Sequence, residues 1–104
     1  MNRGFYAKIH RAQGKILVAI CDEEILGKEF REGDIVLSVP PSFYKGEKVD
    51  LRQAIELIRI ADIAVITGKR IVTELMREGL ASPLSILKVG DQLHMQIIRE
   101  VYQL

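Results

Sequence analysis

The chain has 104 residues, 48% of them hydrophobic, and its 15 basic and 14 acidic residues leave a net charge of +1. This composition excludes a disordered chain, and the near-neutral charge excludes a global field that would draw the protein onto nucleic acid or a membrane. The length allows one hydrophobic core, so residues 1–104 are predicted to form a single domain.

The cysteine content and the charge spacing indicate the compartment. Cys21 is the single cysteine, so no intrachain disulfide can form and a reducing interior is expected. No uncharged apolar run approaches the roughly 18 to 20 residues that a membrane-spanning helix needs. Lys8, Arg11 and Lys15 interrupt any apolar segment of signal-peptide length. We therefore expect a cytoplasmic protein without membrane contact, and the abundant isoleucine and balanced charges favour a thermophilic source.

The N-terminal segment predicts a β-hairpin. Residues 5–10, FYAKIH, alternate between apolar and polar side chains, which is typical of a half-buried strand. Residues 15–21, KILVAIC, are apolar on both faces and therefore predict an interior strand. The intervening RAQG is a plausible turn, so the two strands should pair.

The next segment predicts a short helix and a third strand. Asp22 is a fitting N-cap for one helical turn or a short helix within residues 22–30, which Gly27 can stop. Acidic side chains occupy the positive end of this segment. Residues 35–39 predict a strand, and two prolines end it because neither can donate a ladder hydrogen bond. Residues 40–49 are predicted to be a loop.

The second half predicts two amphipathic helices separated by a strand. Asp50 is a good N-cap with Gln53 three residues later, and apolar side chains then follow helical spacing. Residues 63–66 predict a short buried strand, and the helix after it ends at Gly79. Residues 85–101 predict a C-terminal hairpin. The element order predicts an α+β fold: a mixed sheet with strand pairs at both chain ends, one face covered by two main helices plus a short one.

The segment IAVITGKRIVTEL, which begins at Ile63, has the outline of a phosphate site. An NTPase loop needs glycine five residues before the Gly-Lys pair and Ser or Thr after the lysine. Ile63 and Arg70 occupy those positions, so such a loop is excluded. A helix start at which Gly68, Lys69 and Arg70 hold one phosphate of RNA or of a small ligand remains possible. Alternatively, Thr67 or Gly68 caps the helix and both cations are solvated.

The outward face of the first predicted strand is the second candidate. Tyr6, Lys8 and His10 lie there and continue to Arg11 and Lys15, within an N-terminal segment that has no acidic residue before position 22. Alternating aromatic and basic side chains suit single-stranded nucleic acid, through base stacking and phosphate pairing. The alternative is an edge strand kept soluble by its lysines.

Two adjacent aromatic side chains in the predicted loop form the third candidate. Phe43 and Tyr44 precede Lys45, and an exposed aromatic ring there could stack on a base or dock a partner. The alternative is that one of the two rings covers the core.

Signals of enzyme chemistry are weak. His10, His94 and Cys21 stand far apart with none of the spacings of a metal site, so neither a metal nor a cofactor is predicted. The acidic residues that follow Cys21 disfavour its thiolate. No catalytic residue is therefore assigned.

Four phrases resemble a family of small archaeal proteins known as the domain of unknown function numbered 424. They are GKEFREGDIVLSV, FYKGEKV, GKRIVTELMREGL and LHMQIIRE. The matching positions are Phe30, Gly33, Asp34, Phe43, Tyr44, Gly46, Gly68, Gly79 and His94. The resemblance implies an archaeal, cytoplasmic, stand-alone domain. It carries no catalytic or binding residue, because the family has no assigned activity.

The leading hypothesis is a non-enzymatic binding module that contacts RNA or a ribonucleoprotein through a basic face. Its predicted binding residues are Tyr6, Lys8, His10, Arg11, Lys15, Tyr44, Lys45, Gly68, Lys69 and Arg70. The alternative is a protein–protein adaptor or a homo-oligomeric domain, paired through an edge strand or the Phe43–Tyr44 loop. A third hypothesis is a small-molecule enzyme that uses His94 or His10 as a base.

Overall fold

Eight β-strands and three α-helices follow one another in residues 4–99, the part of the chain that the computed structural model describes. The strands are β1 (Phe5–Ala12), β2 (Lys15–Asp22), β3 (Glu29–Glu32), β4 (Ile35–Ser38), β5 (Glu47–Val49), β6 (Ile63–Thr67), β7 (Leu87–Val89) and β8 (Gln92–Ile98). The helices are α1 (Pro41–Tyr44), α2 (Leu51–Ile60) and α3 (Lys69–Arg77).

Six of the strands form one mixed sheet in the order β5-β1-β2-β6-β8-β7. β2 and β6 run parallel, and the other neighbouring strands in this sheet run antiparallel. β3 and β4 form a separate antiparallel pair. The prediction of an α+β fold with a mixed sheet and strand pairs at both chain ends is therefore confirmed.

The two faces of the six-stranded sheet are covered differently. On one face α2 and α3 bury the larger core, whose members include Val18, Ile20 and Leu75. The other face carries α1 and the β3–β4 pair, which enclose a smaller cluster of Ala19, Cys21, Ile25, Val39 and Tyr44. The two main helices thus share one face, as predicted, while the short helix lies on the other.

The helical turn predicted after Asp22 is a 3₁₀ turn, Glu23–Ile25, and Gly27, with φ of +82°, follows it. The sequence did not indicate β3, in which Phe30 pairs with Leu37 across the β3–β4 ladder. The prediction of a loop for residues 40–49 was wrong, because they contain α1 and β5. Proline is well suited to the first position of a helix.

The helix ends follow the sequence signals. Asp50 and Gln53 form both hydrogen bonds of a capping box at the start of α2. Gly79 has φ of +73° after α3 and donates its N–H to the Met76 carbonyl, a common helix-ending geometry. The predicted C-terminal hairpin is confirmed for β7 and β8, whereas its residues 100–101 lie outside the described part of the chain.

Candidate functional site

The ten predicted binding residues do not form one surface. Lys69 and Arg70 lie where β1 begins, because Arg70 Nη2 donates a 2.9 Å hydrogen bond to the Gly4 carbonyl. Arg11 and Lys15 flank the β1–β2 turn at the opposite end of the strand. Seven residues of extended chain separate Gly4 from Arg11, which is about 23 Å. We call the region of Asp22, Glu24 and residues 68–71 the cap end, and residues 8–15 with Lys45 the hairpin end.

At the cap end the start of α3 is already occupied by protein acceptors. The buried Asp22 carboxylate accepts the N–H groups of Arg70 and Ile71, each at 2.9 Å. Gln92 Oε1 accepts the N–H of Lys69 at 3.0 Å. These are the N–H groups that would bind a phosphate at a helix N-terminus. A phosphate here would have to displace a carboxylate held within the fold.

Gly68 provides the space for that carboxylate. Its φ is +135°, and a Cβ atom at this position would lie 2.4 Å from Asp22 Cγ. The sequence assigned Asp22 to cap a local helix, but the residue caps α3, which is distant in the chain. The glycine therefore admits an internal carboxylate, and the structure gives it no role in cradling a phosphate.

The two cations at the cap end are also engaged by carboxylates. Arg70 Nε and Nη2 donate to the two oxygens of Glu24 at 2.7 and 2.6 Å, and the guanidinium lies 4.8 Å from the Phe5 ring centroid. Lys69 Nζ is 3.8 Å from Asp91 Oδ2. Burial raises the pKa of Asp22, and its hydrogen bonds with the α3 backbone oppose that shift. The cap end therefore combines a close, part-buried ion pair at Arg70 with a longer surface contact at Lys69.

Tyr44 belongs to the interior. Its side chain is 3% exposed, and its hydroxyl lies 2.9 Å from Thr67 Oγ1, which lies 2.8 Å from His94 Nδ1. Burial raises the pKa of Tyr44 and lowers that of His94. Tyr44 thus covers the smaller core cluster, the alternative that the sequence left open, and its ring is not available for base stacking.

The two histidines do not meet. His10 lies on β1 and His94 on β8, with β2 and β6 between them, so three strand spacings of about 14 Å in total separate their strands. Within residues 4–99 the His94 ring is hydrogen-bonded to Thr67 and Gln96, and neither carries a carboxylate. No three potential metal ligands converge anywhere in residues 4–99. This arrangement gives little support to the histidine-base hypothesis.

The outward side chains of β1 are partly covered by α1 and β5. Tyr6 lies beneath Lys48, whose Nζ is 5.9 Å from the ring centroid. Lys8 Nζ donates to the Ser42 carbonyl at 2.8 Å and keeps two further N–H donors. His10 stacks on the half-buried ring of Phe43, with centroids 4.9 Å apart. Base stacking on this face would require Tyr6 or His10 to leave these contacts.

The hairpin end differs from the cap end in its charge balance. Within residues 4–99, none of its cations lies within 4 Å of a carboxylate oxygen. Arg11, Lys15 and Lys45 are exposed, and Lys8 is half-buried. Four of the predicted residues are therefore cations that form no ion pair within residues 4–99, and the Asp62 carboxylate at this end accepts the N–H of Ile16 at 2.7 Å.

Comparisons with known proteins agree with this fold. The family model described as "Protein of unknown function (DUF424)" matches residues 10–99. The crystal structure of an uncharacterized conserved protein from the archaeon Methanopyrus kandleri is similar, with a TM-score of 0.71, 24% identity, and coverage of 96% of this chain and 97% of that chain. None of the curated proteins compared with the chain matches it. No helix within residues 4–99 is long and apolar enough to cross a bilayer. With 90 of its residues matched, the chain belongs to the DUF424 family.

Proposed function

We propose that this protein is a cytoplasmic, non-enzymatic binding module that contacts RNA through its hairpin end. The observation that carries the proposal is the contrast in pairing between the two basic regions. Arg70 is bound by Glu24, and Lys69 Nζ lies 3.8 Å from the exposed carboxylate of Asp91. Lys8, Arg11, Lys15 and Lys45 have no carboxylate oxygen within 4 Å among residues 4–99. Cations without internal partners are the groups that remain available for phosphates.

The number of these cations limits the strength of the interaction. Each phosphate that a lysine or arginine neutralises on single-stranded RNA contributes about 0.7 to the slope of log affinity against log salt concentration. Four cations at the hairpin end therefore predict a slope of about −3. Such binding would be dominated by phosphates, because the adjacent rings of Tyr6 and His10 already have partners.

The test uses a fluorescein-labelled oligouridine, titrated across a salt series with the wild type and two matched variants. Lys15→Glu reverses an exposed cation at the hairpin end and should reduce the slope by about 1. Lys69→Glu reverses an exposed cation at the cap end and should leave the slope unchanged. Equal losses in both variants, or no binding at low salt, would overturn the proposal.

A second function, a protein–protein adaptor, is favoured by one specific observation. β5 pairs with only the first three residues of β1, so no strand among residues 4–99 pairs with the rest of β1 on its outer side. An unpaired strand edge is a template for adding a strand from another chain. A stable dimer whose elution volume does not change with salt would identify a second copy as the partner.

A further inference from the structure

The β1–β2 turn determines which backbone groups of β1 point outward. Gln13 and Gly14 have φ of +54° and +76°, the positive values of a two-residue type I′ hairpin. Ala12 and Lys15, which flank this turn, therefore form a hydrogen-bonded pair. Because pairing alternates along an antiparallel ladder, the N–H and C=O groups of Ile9 and Arg11 point away from β2.

The outer side of β1 is open from Ile9 onward. β5 pairs with Phe5–Ala7 only, and the chain leaves this edge at Gly46. A Cβ atom on Gly46 would lie 2.2 Å from the Ala7 carbonyl oxygen, so the glycine permits a close backbone crossing at this point. Beyond the crossing, no strand within residues 4–99 covers the outward backbone groups of Ile9 and Arg11.

A cavity of about 250 Å³ adjoins this open edge, on the face that α2 covers. Its apolar lining comes from Ala7, Ile9, Val49 and Leu57, and the side chain of Ile9 is 41% exposed. A water molecule occupies about 30 Å³, so the space is sufficient for an aliphatic side chain. The cavity therefore offers a place for one apolar side chain of an added strand.

The charged side chains on this face have opposite signs at its two ends. Alternate residues of a strand share a face, so Ala7, Ile9 and Arg11 point to the same side of the sheet. Glu47 is paired with Ala7 and therefore also lies on this side, at the β5 end of the cavity. An acidic side chain would be repelled near Glu47 and attracted near Arg11, which is exposed and has no carboxylate within 4 Å in the described chain.

We propose that an extended peptide segment of another protein adds to the sheet along this outer edge. Its backbone pairs with the outward N–H and C=O groups of Ile9 and Arg11. An apolar side chain of the segment fills the cavity opposite Ile9, and an acidic side chain two positions away lies opposite Arg11. This proposal rests on the adaptor function proposed above and names the chemistry of its partner. It shares Arg11 with the proposed RNA contact, but it also requires a strand edge and a cavity that phosphates do not require.

The experiment measures the fluorescence anisotropy of labelled seven-residue threonine peptides that carry leucine and glutamate two positions apart, in both orders. The peptide with one of these two orders of leucine and glutamate should bind. Replacing its leucine with threonine should weaken binding about tenfold, because the buried aliphatic group is lost. Replacing its glutamate with lysine should weaken binding about fivefold, and Arg11→Glu should restore binding of this lysine peptide.

Two variants test the backbone pairing at the strand edge and the basic side chains separately. Ile9→Pro removes an N–H that points outward while preserving the β1–β2 ladder, and should weaken peptide binding at least tenfold. Lys15→Glu should weaken oligouridine binding and leave peptide binding within twofold, so the RNA and peptide proposals can fail separately. If Ile9→Pro does not fold, the charge exchange at Arg11 still decides the outcome.

Three outcomes would overturn the peptide proposal. The first is equal affinity for the leucine, threonine and lysine peptides, or no binding of any. The second is failure of Arg11→Glu to restore binding of the lysine peptide. The third is a homodimer that Ile9→Pro converts to a monomer, because a second copy of the chain would then occupy the edge.

Discussion

The cap end and the hairpin end of β1 look alike in sequence and differ in structure. Each brings together basic side chains next to a turn or a helix start. At the cap end Arg70 is held by Glu24, and Lys69 lies near Asp91. At the hairpin end Arg11 and Lys15 have no such partner among residues 4–99. A basic segment in the sequence therefore keeps unpaired cations only where the fold brings no carboxylate within ion-pair distance of them.

Sheet topology produces this difference. β2 and β6 are parallel neighbours, so the residues that follow each strand meet at the same edge of the sheet. Asp22 ends β2 and Glu24 follows it, whereas Lys69 and Arg70 follow β6. The parallel pairing therefore brings acids to bases at the cap end. The opposite end receives the β1–β2 turn, which lies in a segment without acidic residues. The carboxylate that precedes β6, Asp62, accepts the backbone N–H of Ile16 there and has no cation within 4 Å in the described chain.

The largest expected effect is the destabilisation caused by Gly68→Ala at the cap end. The new Cβ would meet the Asp22 carboxylate, and φ of +135° is strained for alanine. Backbone strain together with the displaced cap should lower the free energy of unfolding by about 3 kcal/mol. Urea denaturation measures this loss.

Gly33→Ala is the matched control for that variant. Gly33 also has positive φ, +61°, but no atom lies within 4 Å of its added Cβ. Gly33→Ala should lower the free energy of unfolding by about 1 kcal/mol, which is the backbone strain alone. Equal losses in the two variants would show that Asp22 does not need the space at Gly68.

A smaller effect is expected from Tyr44→Phe, which tests whether Tyr44 belongs to the interior. The change removes the hydroxyl contact with Thr67, which keeps its contact with His94. The free energy of unfolding should fall by about 1 kcal/mol, measured by urea denaturation. The Tyr6 hydroxyl makes no hydrogen bond within residues 4–99, so Tyr6→Phe should change the free energy of unfolding by less than about 0.5 kcal/mol. A loss of RNA binding in Tyr44→Phe with unchanged stability would contradict this account.

The smallest effect is a pH dependence at His94. Burial lowers the pKa of its imidazole from the ordinary value of 6.5, so the unfolded chain binds the proton more readily than the folded one. His94 therefore makes its full contribution to the free energy of unfolding above pH 6.5, and this contribution decreases as the pH falls below that value. His94→Asn should lose less stability than the wild type between pH 7.5 and 5.5, in urea titrations at both values. Identical losses would remove His94 from this account.

Local patterns predicted much of the fold. The β1–β2 hairpin, the Asp50–Gln53 capping box and the end of α3 at Gly79 each depend on residues close in sequence. Short elements were missed, because the three residues of β5 carry no periodicity that distinguishes them from a loop.

The site was less predictable than the fold. The role of Asp22 requires knowing that β2 lies beside β6, since the N–H groups that it accepts are 48 and 49 residues away. The burial of Tyr44 likewise depends on the position of α1 over the sheet. The sequence did indicate an edge strand at β1, as the alternative to a nucleic-acid surface, but the extent of the open edge depends on where β5 ends.

The most direct test of the central claim compares Lys15→Glu with Lys69→Glu in the oligouridine salt series. Both changes reverse one exposed lysine, so they alter the net charge equally and differ only in position. The account predicts a slope reduced by about 1 for Lys15→Glu and an unchanged slope for Lys69→Glu. An unchanged slope for Lys15→Glu with a reduced slope for Lys69→Glu would contradict the account and assign RNA binding to the cap end.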